Sequence, residues 1–355
     1  MQTTQVYAVN REQADCLEVR TTELPAPPAG HVRVRVEAAG VSYGDLLFQR
    51  GVIPGGPKPP FVPGCDLVGV VESVGAGVTG LEPGQRVAAL VKSGGYTTGV
   101  TLPAERLVPV PEGVDAASVA SVSLNYFIAY QMLHRVAKVQ SGQRILVHGA
   151  AGGVGLAFLQ LAEHIGGVTV FGTASASNHA LVRQHGAIAI DYRTQDFANV
   201  VRATVDTHGE INASTAYDKY GTVDAAFDPL GGPHFWRSYA VLRRGGGRLV
   251  AYGQSEALRG GKRNMAIGAL GFLGGIILPN LKPDGRRTGF YNAWALEKKQ
   301  PEAYREDLTE VLNLLSADKI APREVTRIPL RDAARAFEQI ERGVTGKLVI
   351  DCTGH

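Results

Sequence analysis

Apolar and polar residues alternate along the first third of the chain. In His31–Glu37 every second residue is a valine, which places three valines on one face of an extended segment. Leu67–Val74 is a second segment of this kind, and several prolines interrupt the stretches around both of them. The pattern predicts a β-rich region of about 120 residues in the N-terminal part of the chain.

The periodicity changes near Asp115. Asp115–Ser123 and Tyr126–Ala137 have helical spacing, and beyond them short apolar runs alternate with amphipathic segments. The predicted strands are Ile145–Val147, Val168–Phe171, Ala187–Ile190, Val223–Phe227 and Arg248–Tyr252, with predicted helices starting at Gly155, Asn178, Asp196 and His234. Regular alternation of strand and helix is typical of an α/β fold with a doubly wound parallel sheet.

The alternation ends after Gly253. Ala266–Leu278 is an almost wholly apolar run, too short for the roughly 20 residues that a membrane-spanning helix needs. Three interpretations stay open for it: a core helix, an apolar flap over the substrate, or a contact with a membrane surface. The remaining predictions are strands at Thr288–Tyr291, Val325–Leu330 and Lys347–Cys352, and helices at Pro301–Leu315 and Asp332–Arg342.

The segment Ile145–Gly155, I-L-V-H-G-A-A-G-G-V-G, is a strand that runs through a glycine-rich turn into a helix. A turn of this type exposes backbone N–H groups at a helix N-terminus, where a pyrophosphate binds. We therefore predict that a dinucleotide contacts the residues of this turn. They are Gly152, Gly153, Val154 and Gly155.

The residues at the end of the next predicted strand indicate which dinucleotide binds. We place Gly172 at the position where an NAD enzyme has an acidic residue for the ribose 2′-hydroxyl, and no acid follows in Thr173-Ala-Ser175. The missing carboxylate favours a 2′-phosphate, and therefore NADPH over NADH. Ser175 and Ser177 are placed to donate hydrogen bonds to that phosphate.

Composition excludes several classes of protein. The net charge of +3, without a cluster of Lys and Arg, gives no indication of a nucleic-acid partner. The three cysteines lie far apart, which excludes a disulfide framework and favours a reducing compartment. The first residues also lack the basic and apolar regions of a signal peptide, so we expect a cytoplasmic protein without stable membrane contact.

Several motifs occur together in one order along nearly the whole chain. They are G-H-V-R-V-R-V-E from Gly30, A-G-V-S-Y-G-D-L from Ala39, P-G-C-D-L-V-G-V-V-E-S-V-G from Pro63, P-G-Q-R-V from Pro83 and A-A-G-G-V-G from Ala150. The set resembles the medium-chain dehydrogenase/reductase superfamily, in its zinc-free quinone oxidoreductase branch. Three further motifs are similar to the vesicle amine transport protein 1 homologue subgroup: V-F-G-T-A-S-A-S-N-H from Val170, D-P-L-G-G from Asp228 and G-G-K-R-N from Gly260.

The resemblance implies two domains and a reaction. A GroES-like β domain would comprise residues 1–122 and 293–355, and a Rossmann domain residues 123–292, in a homodimer. The implied activity is zinc-independent transfer of a hydride from NADPH to a quinone or an α,β-unsaturated carbonyl. Two alternatives stay open: a zinc-type alcohol dehydrogenase, and a non-enzymatic NADPH-binding, membrane-associated protein.

The resemblance also implies site residues. Tyr43 either donates a hydrogen bond to the substrate carbonyl or only lines the pocket, and Asp45 is either catalytic or a structural cap of the following helix. Asn178 departs from the subgroup, whose members have a lysine there, and this removes one cation from the phosphate site. The remaining cofactor-binding positions are Ser42, Asn125, Tyr130, Gly172, Thr173, Tyr192, Arg193, Gly253, Gln254, Phe290, Tyr291 and Asn292.

Zinc-dependent relatives bind their catalytic metal through Cys, His and a second Cys. At the corresponding positions this chain has Ser42, Cys65 followed by Asp66, and Leu124. Neither serine nor leucine supplies a thiolate, so we predict no zinc, and we expect Cys65 to be a small buried residue.

Overall fold

The computed structural model describes residues 1–11, 16–51, 53, 55–203, 222–253, 255, 265–343 and 346–354. The chain forms two compact units, the first made of Met1–Phe127 with Pro301–His355 and the second of Ile128–Gln300. The predicted boundary after residue 122 falls inside a continuous helix, Ala116–Tyr130. Gln254 and the G-G-K-R-N motif at Gly260 lie outside the described residues.

Unit 1 is mainly β-structure. Its strands are β1 Gln2–Ala8, β2 Leu17–Glu23, β3 His31–Gly40, β4 Asp66–Val74, β5 Arg86–Leu90, β6 Gly99–Pro103, β7 Val108–Pro109, β14 Val325–Pro329 and β15 Lys347–Asp351. β1 and β2 form an antiparallel pair, and the others form a seven-stranded sheet in the order β14-β15-β3-β4-β5-β7, with β6 on β3. Ile350 of β15 pairs with Ala39 of β3, which joins the C-terminal tail to the N-terminal sheet.

The valine alternation correctly predicts the buried face of β3. Val32, Val34 and Val36 are all buried and pack in one core with Leu67 and Ile350. The helices of unit 1 are α1 Tyr43–Gln49, α2 Ala116–Tyr130, whose last turn belongs to unit 2, α9 Pro301–Ser316 and α10 Ala333–Arg342.

Unit 2 is a parallel α/β structure. Its strands are β8 Arg144–His148, β9 Thr169–Ala174, β10 Ile188–Asp191, β11 Ala225–Asp228, β12 Arg248–Ala251 and β13 Arg287–Phe290, in the order β10-β9-β8-β11-β12-β13. Its helices are α3 Gly153–Ile165, α4 His179–Gln184, α5 Phe197–Ala203, α6 His234–Ala240, α7 Met265–Phe272 and α8 Ala293–Lys299. All neighbouring strands are parallel, which confirms the predicted doubly wound sheet and places its topological switch between β8 and β11.

The predicted pair of helices between Asp115 and Ala137 is wrong. The structure has a single helix, α2, which continues directly into the π-helical segment Gln131–Ala137. Nothing between Ser123 and Tyr126 interrupts the backbone hydrogen bonds, because the intervening Leu and Asn are compatible with a helix and no Gly or Pro is present.

The apolar run Ala266–Leu278 is a surface helix, not a core helix. It comprises most of α7 and a π-helical turn, Leu273–Ile277, and is followed by a short 3-10 segment. Its small residues face inward, since a Cβ on Gly275 would lie only 2.4 Å from the Cβ of Phe235. Leu270, Leu273 and Ile277 face outward, with Leu270 at 69% exposure, whereas Ile276 is buried in the core of unit 2. Among the described residues, no helix combines the length and apolarity that crossing a bilayer requires.

Candidate cofactor-binding site

The glycine-rich turn forms an open helix N-terminus. β8 ends at His148, Gly149 has a φ of +67°, and Gly152 precedes the first residue of α3 in an extended conformation. Gly152 has no side chain to cap the helix, so the first-turn N–H groups have no side-chain acceptor. This is the arrangement that accepts a pyrophosphate.

Gly155 lets the helix approach the turn closely. A Cβ at this position would lie 2.1 Å from the carbonyl oxygen of Gly149 and 2.7 Å from the Cα of Ala150. Both are backbone atoms that have no side-chain freedom to move aside. A glycine at residue 155 is therefore required by the fold of the turn.

The structure corrects the placement of Gly172. β9 continues two residues beyond it, to Ala174, so Gly172 lies inside the strand and not at its end. A Cβ there would lie 2.8 Å from the Cβ of Ala150, which shows that Gly172 serves the packing of the glycine-rich turn. The position at the end of the strand is Ala174, followed by Ser175, and neither is acidic. The strand therefore ends without a carboxylate.

A polar cluster follows the end of β9. The hydroxyl oxygens of Ser175 and Ser177 are 3.1 Å apart, and Nδ2 of Asn178 donates to Oγ of Ser175 at 3.0 Å. Ser177 is exposed and Ser175 is half-buried. Thr173 differs from them, because its buried hydroxyl contacts His148 and Gly149. Its side chain faces the interior of the unit, away from the serine cluster.

Tyr192 and Arg193 lie on the surface after β10. Tyr192 is 58% exposed, and the guanidinium of Arg193 lies 5.7 Å from the centre of its ring. An exposed aromatic ring with a neighbouring cation is compatible with the adenosine end of a dinucleotide, as the resemblance implies.

The predicted residues around the end of β13 have structural contacts of their own. Tyr291 is buried, and its hydroxyl donates to Oε1 of Gln131 at 2.7 Å. Asn292 caps α8 by accepting a hydrogen bond from the Ala295 N–H, whereas Phe290 is exposed on β13. The side chains of Tyr291 and Asn292 are therefore engaged within unit 2.

The remaining predicted positions lie in both units. A Cβ on Gly253 would lie 2.5 Å from the carbonyl oxygen of Pro229, so a larger residue does not fit after β12. Tyr130 packs its ring 4.3 Å from the ring of His134 in the π-helical segment. Asn125 is half-buried on α2, in the part of that helix that belongs to unit 1.

The contacts of Asp45 fit the structural role, one of the two roles expected for it, and not the catalytic role. Ser42 and Asp45 form a capping box at the start of α1, in which Oδ2 of Asp45 accepts from the Ser42 N–H at 2.8 Å and from its hydroxyl at 2.7 Å. The other oxygen, Oδ1, accepts from the N–H of Gly64 at 3.1 Å. Only 1% of Asp45 is exposed, so a substrate does not reach it. Tyr43, the first residue of α1, is 48% exposed.

Unit 1 contains a buried charge cluster, formed by Asp45, Asp66 and Lys347. Nζ of Lys347 donates to the carbonyl of Val41 at 2.8 Å, and Oδ1 of Asp66 accepts from the N–H of Gly40. Burial raises the pKa of Asp66 to about 6 even though Lys347 acts in the opposite direction, and burial lowers the pKa of Lys347. We did not predict this cluster. The available signal was a lysine at the start of an apolar strand, Lys347–Asp351.

The residues at the positions where zinc-dependent relatives bind their metal do not form a zinc site. The Ser42 hydroxyl donates to Oδ2 of Asp45, and Leu124 has no donor atom, so Cys65 and Asp66 do not have the second thiolate and the imidazole that complete a zinc site. Burial raises the pKa of the Cys65 thiol well above its usual value, and the nearby Asp45 charge raises it further. The Cys65 sulfur lies 3.7 Å from the carbonyl of Lys92. Within the described part of the chain, the one group of three metal-ligating side chains lies in unit 2, at His148, Asp228 and His234.

A buried hydrogen-bond chain links the ends of β8 and β11. The two ring nitrogens of His148 lie 3.1 Å from the hydroxyl of Thr173 and 3.0 Å from that of Ser238, and Ser238 donates to Oδ2 of Asp228 at 2.7 Å. His234 Nδ1 lies 2.9 Å from the same oxygen. Burial lowers the pKa of His148 to about 3, so His148 is a neutral packed residue and not a base.

Comparison with known proteins places the chain in a family. Residues 28–112 match the alcohol dehydrogenase GroES-like domain, and residues 185–350 match the model described as zinc-binding dehydrogenase. The synaptic vesicle membrane protein VAT-1 homolog of Rattus norvegicus is 33% identical, over 94% of this chain and 80% of its own length. The chain belongs to the medium-chain dehydrogenase/reductase superfamily. Within this superfamily it lies close to the VAT-1 homologue family.

The other matches agree with this assignment. The VAT-1 homolog of Danio rerio is 33% identical over 92% of this chain, which spans 65% of that relative's length. The crystal structure of the human VAT-1 homolog-like protein superposes with a TM-score of 0.77 at 27% identity, covering 100% of both chains. A quinone oxidoreductase from Pseudomonas syringae has the same fold, with a TM-score of 0.79 at 24% identity over 98% of this chain and 99% of its own.

Proposed function

We propose that this superfamily member is a zinc-independent, NADPH-dependent oxidoreductase that reduces a quinone or an α,β-unsaturated carbonyl compound. The observation that carries the proposal combines two features. The N-terminus of α3 has no side-chain cap, and no acidic residue follows the end of the neighbouring strand β9. The first feature suits a pyrophosphate, and the second suits a 2′-phosphate. The lack of fit to zinc at Ser42, Cys65 and Asp66 favours chemistry that needs no metal.

The residues of unit 2 have defined roles in this proposal. Backbone N–H groups at Gly153 and Val154 bind the pyrophosphate, while the hydroxyls of Ser175 and Ser177 donate to the 2′-phosphate. Bound NADPH supplies the hydride, from its nicotinamide ring. The protein contributes chiefly by holding donor and acceptor in a reactive geometry, since a quinone is already a good hydride acceptor.

Replacing Ser177 with alanine lowers kcat/KM for NADPH by about 10-fold, because one hydrogen bond to a charged phosphate is lost. The same variant uses NADH as well as the wild type does, since NADH has no 2′-phosphate. Steady-state kinetics with both cofactors, on a panel of quinones and enones with a chelator present, measure the effect. Wild-type protein that prefers NADH, or that needs added zinc for turnover, contradicts the proposal.

Replacing Tyr43 with phenylalanine lowers kcat for an enone by about 10- to 100-fold if the phenol donates to the developing enolate oxygen. We propose this role because Tyr43 is half-exposed at the start of α1, where the Ser42–Asp45 capping box holds the backbone. A quinone substrate provides the internal control, because its reduction depends less on a proton donor. An unchanged kcat for the enone assigns Tyr43 to lining the pocket.

We propose that the protein is a homodimer that pairs through β13. This strand lies at the edge of the sheet of unit 2, and its Phe290 is exposed near the outward leucines of the apolar run. Adding a negative charge with Phe290→Asp gives a monomer in light-scattering chromatography, whereas Tyr192→Asp, at an even more exposed aromatic position of the same unit, leaves the dimer intact. A wild-type monomer contradicts this proposal.

The exposed leucines also favour a second candidate function, membrane association. Leu270 and Leu281 are 69% and 76% exposed, and the matched relatives are named as vesicle membrane proteins. In this alternative the protein binds NADPH but reduces none of the tested quinones or enones. Co-migration of the full chain with floating liposomes supports the alternative, and its absence excludes it.

A further inference from the structure

We propose that unit 2 contains a divalent transition-metal site formed by His148, Asp228 and His234, which we call the His–Asp–His cluster. One donor atom from each residue lies within 4.8 Å of the others. Two imidazoles and one carboxylate are a donor set that suits zinc, cobalt or nickel better than magnesium or calcium. The proposal is independent of the proposed hydride transfer, which takes place without this metal.

The surrounding structure already orients two of the three ligands. His148 Nδ1 contacts the hydroxyl of Thr173 at 3.1 Å, which leaves Nε2 on the side of the cluster. Asp228 Oδ1 accepts hydrogen bonds from the N–H groups of Leu230 at 2.8 Å and Gly231 at 3.4 Å, which leaves Oδ2 facing the two histidines. Outer-shell partners of this kind fix the orientation of metal-binding side chains.

Ser238 lies between two of the ligands, His148 and Asp228. Its hydroxyl oxygen is 3.0 Å from Nε2 of His148 and 2.7 Å from Oδ2 of Asp228, so it links the ligands when no metal is bound. Ligand bonds of about 2.0–2.2 Å to nitrogen and oxygen need only small side-chain shifts from these positions. Rotation of the Ser238 side chain makes room for the ion, and water completes the coordination.

Burial and charge are compatible with a bound cation. His148 and Asp228 are buried, whereas His234 is only half-buried and provides a path to solvent. The nearest cation on the same helix, Arg237, pairs with Asp196 at 2.9 Å, which offsets its repulsion of a metal. The carboxylate of Asp228 then balances part of the charge of the ion.

Cobalt titration of the full chain, after removal of metals with a chelator, tests the proposal. Wild-type protein binds one Co²⁺ and develops visible d–d absorption bands, and His234→Ala weakens the binding by more than about 100-fold. His164→Ala is the matched control, because His164 is an exposed histidine of the same unit. This control binds Co²⁺ as the wild type does.

Two further variants distinguish a metal site from a buried hydrogen-bond chain. Ser238→Ala keeps all three ligands and removes the hydroxyl that lies between two of them, so it retains or strengthens Co²⁺ binding. Thr173→Val removes the outer-shell contact of His148 and weakens binding by about 10- to 100-fold. Equal Co²⁺ binding by wild type and His234→Ala, or no visible bands at one equivalent, overturns the proposal. Circular dichroism shows that each variant is folded.

Discussion

Replacing Gly155 with alanine lowers the affinity for NADPH by about 100-fold or more. The added Cβ would lie 2.1 Å from the carbonyl oxygen of Gly149, so α3 and the glycine-rich turn must separate by roughly 1 Å. This displacement moves the first-turn N–H groups away from the pyrophosphate. Isothermal titration calorimetry with NADPH measures the affinity, and thermal unfolding shows whether the variant remains folded.

Gly152→Ala is the control within the same turn. Its added Cβ would lie 3.2 Å from the carbonyl oxygen of Gly149, which requires only a few tenths of an ångström of adjustment. We therefore expect a loss of affinity of less than about 10-fold. A folded Gly155→Ala protein that binds NADPH as tightly as the wild type contradicts the assignment of the turn as the pyrophosphate site.

Replacing Lys347 with methionine lowers the free energy of unfolding by about 3–5 kcal/mol. The substitution keeps the volume of the side chain but leaves Asp45 and Asp66 buried without their cation, and an uncompensated buried charge is strongly destabilising. Urea titration followed by circular dichroism measures the difference. The double variant Lys347→Met with Asp66→Asn recovers part of the loss, because the amide carries no charge.

The same cluster predicts the pH dependence of stability. The pKa of Asp66 is raised from 3.8 to about 6 in the folded protein, first of all by burial. The stability that this group contributes is therefore complete below about pH 3.8 and is lost as the pH rises through about 6. Lys347→Met makes this loss larger and extends it to higher pH, whereas Asp66→Asn makes it smaller. If Lys347→Met lowers the free energy of unfolding by the same amount at every pH, this explanation is contradicted.

Much of the fold was predictable because it depends on local periodicity. The valines of β3 alternate in the sequence and are buried in the structure. The strands predicted from the strand–helix alternation between Ile145 and Tyr252 form the parallel sheet of unit 2. The glycine-rich turn was predictable for a related reason. Its glycines are adjacent in the sequence, so one short segment contains the whole geometry.

The errors lie where a residue's role depends on its neighbours in space. The predicted strand ended at Phe171, just before Gly172, but β9 continues to Ala174, because parallel pairing with β8 extends to Thr173. For Asp45 the sequence left a catalytic and a structural role open, and only the structure shows that a capping box and the N–H of Gly64 occupy both of its oxygens. The helix pair after Asp115 is a single helix, because no residue there terminates it.

The sequence alone determined the class of fold, the glycine-rich turn and the absence of an acid after β9, since all three depend on residues close together in the chain. Only the tertiary structure determined the buried charge cluster, in which Lys347 interacts with Asp45, a residue about 300 positions earlier in the chain. The same holds for the His–Asp–His cluster at the ends of β8 and β11. The physical reason is that desolvation and ligand geometry depend on atoms within a few ångströms. The order of residues along the chain does not specify which distant atoms these are.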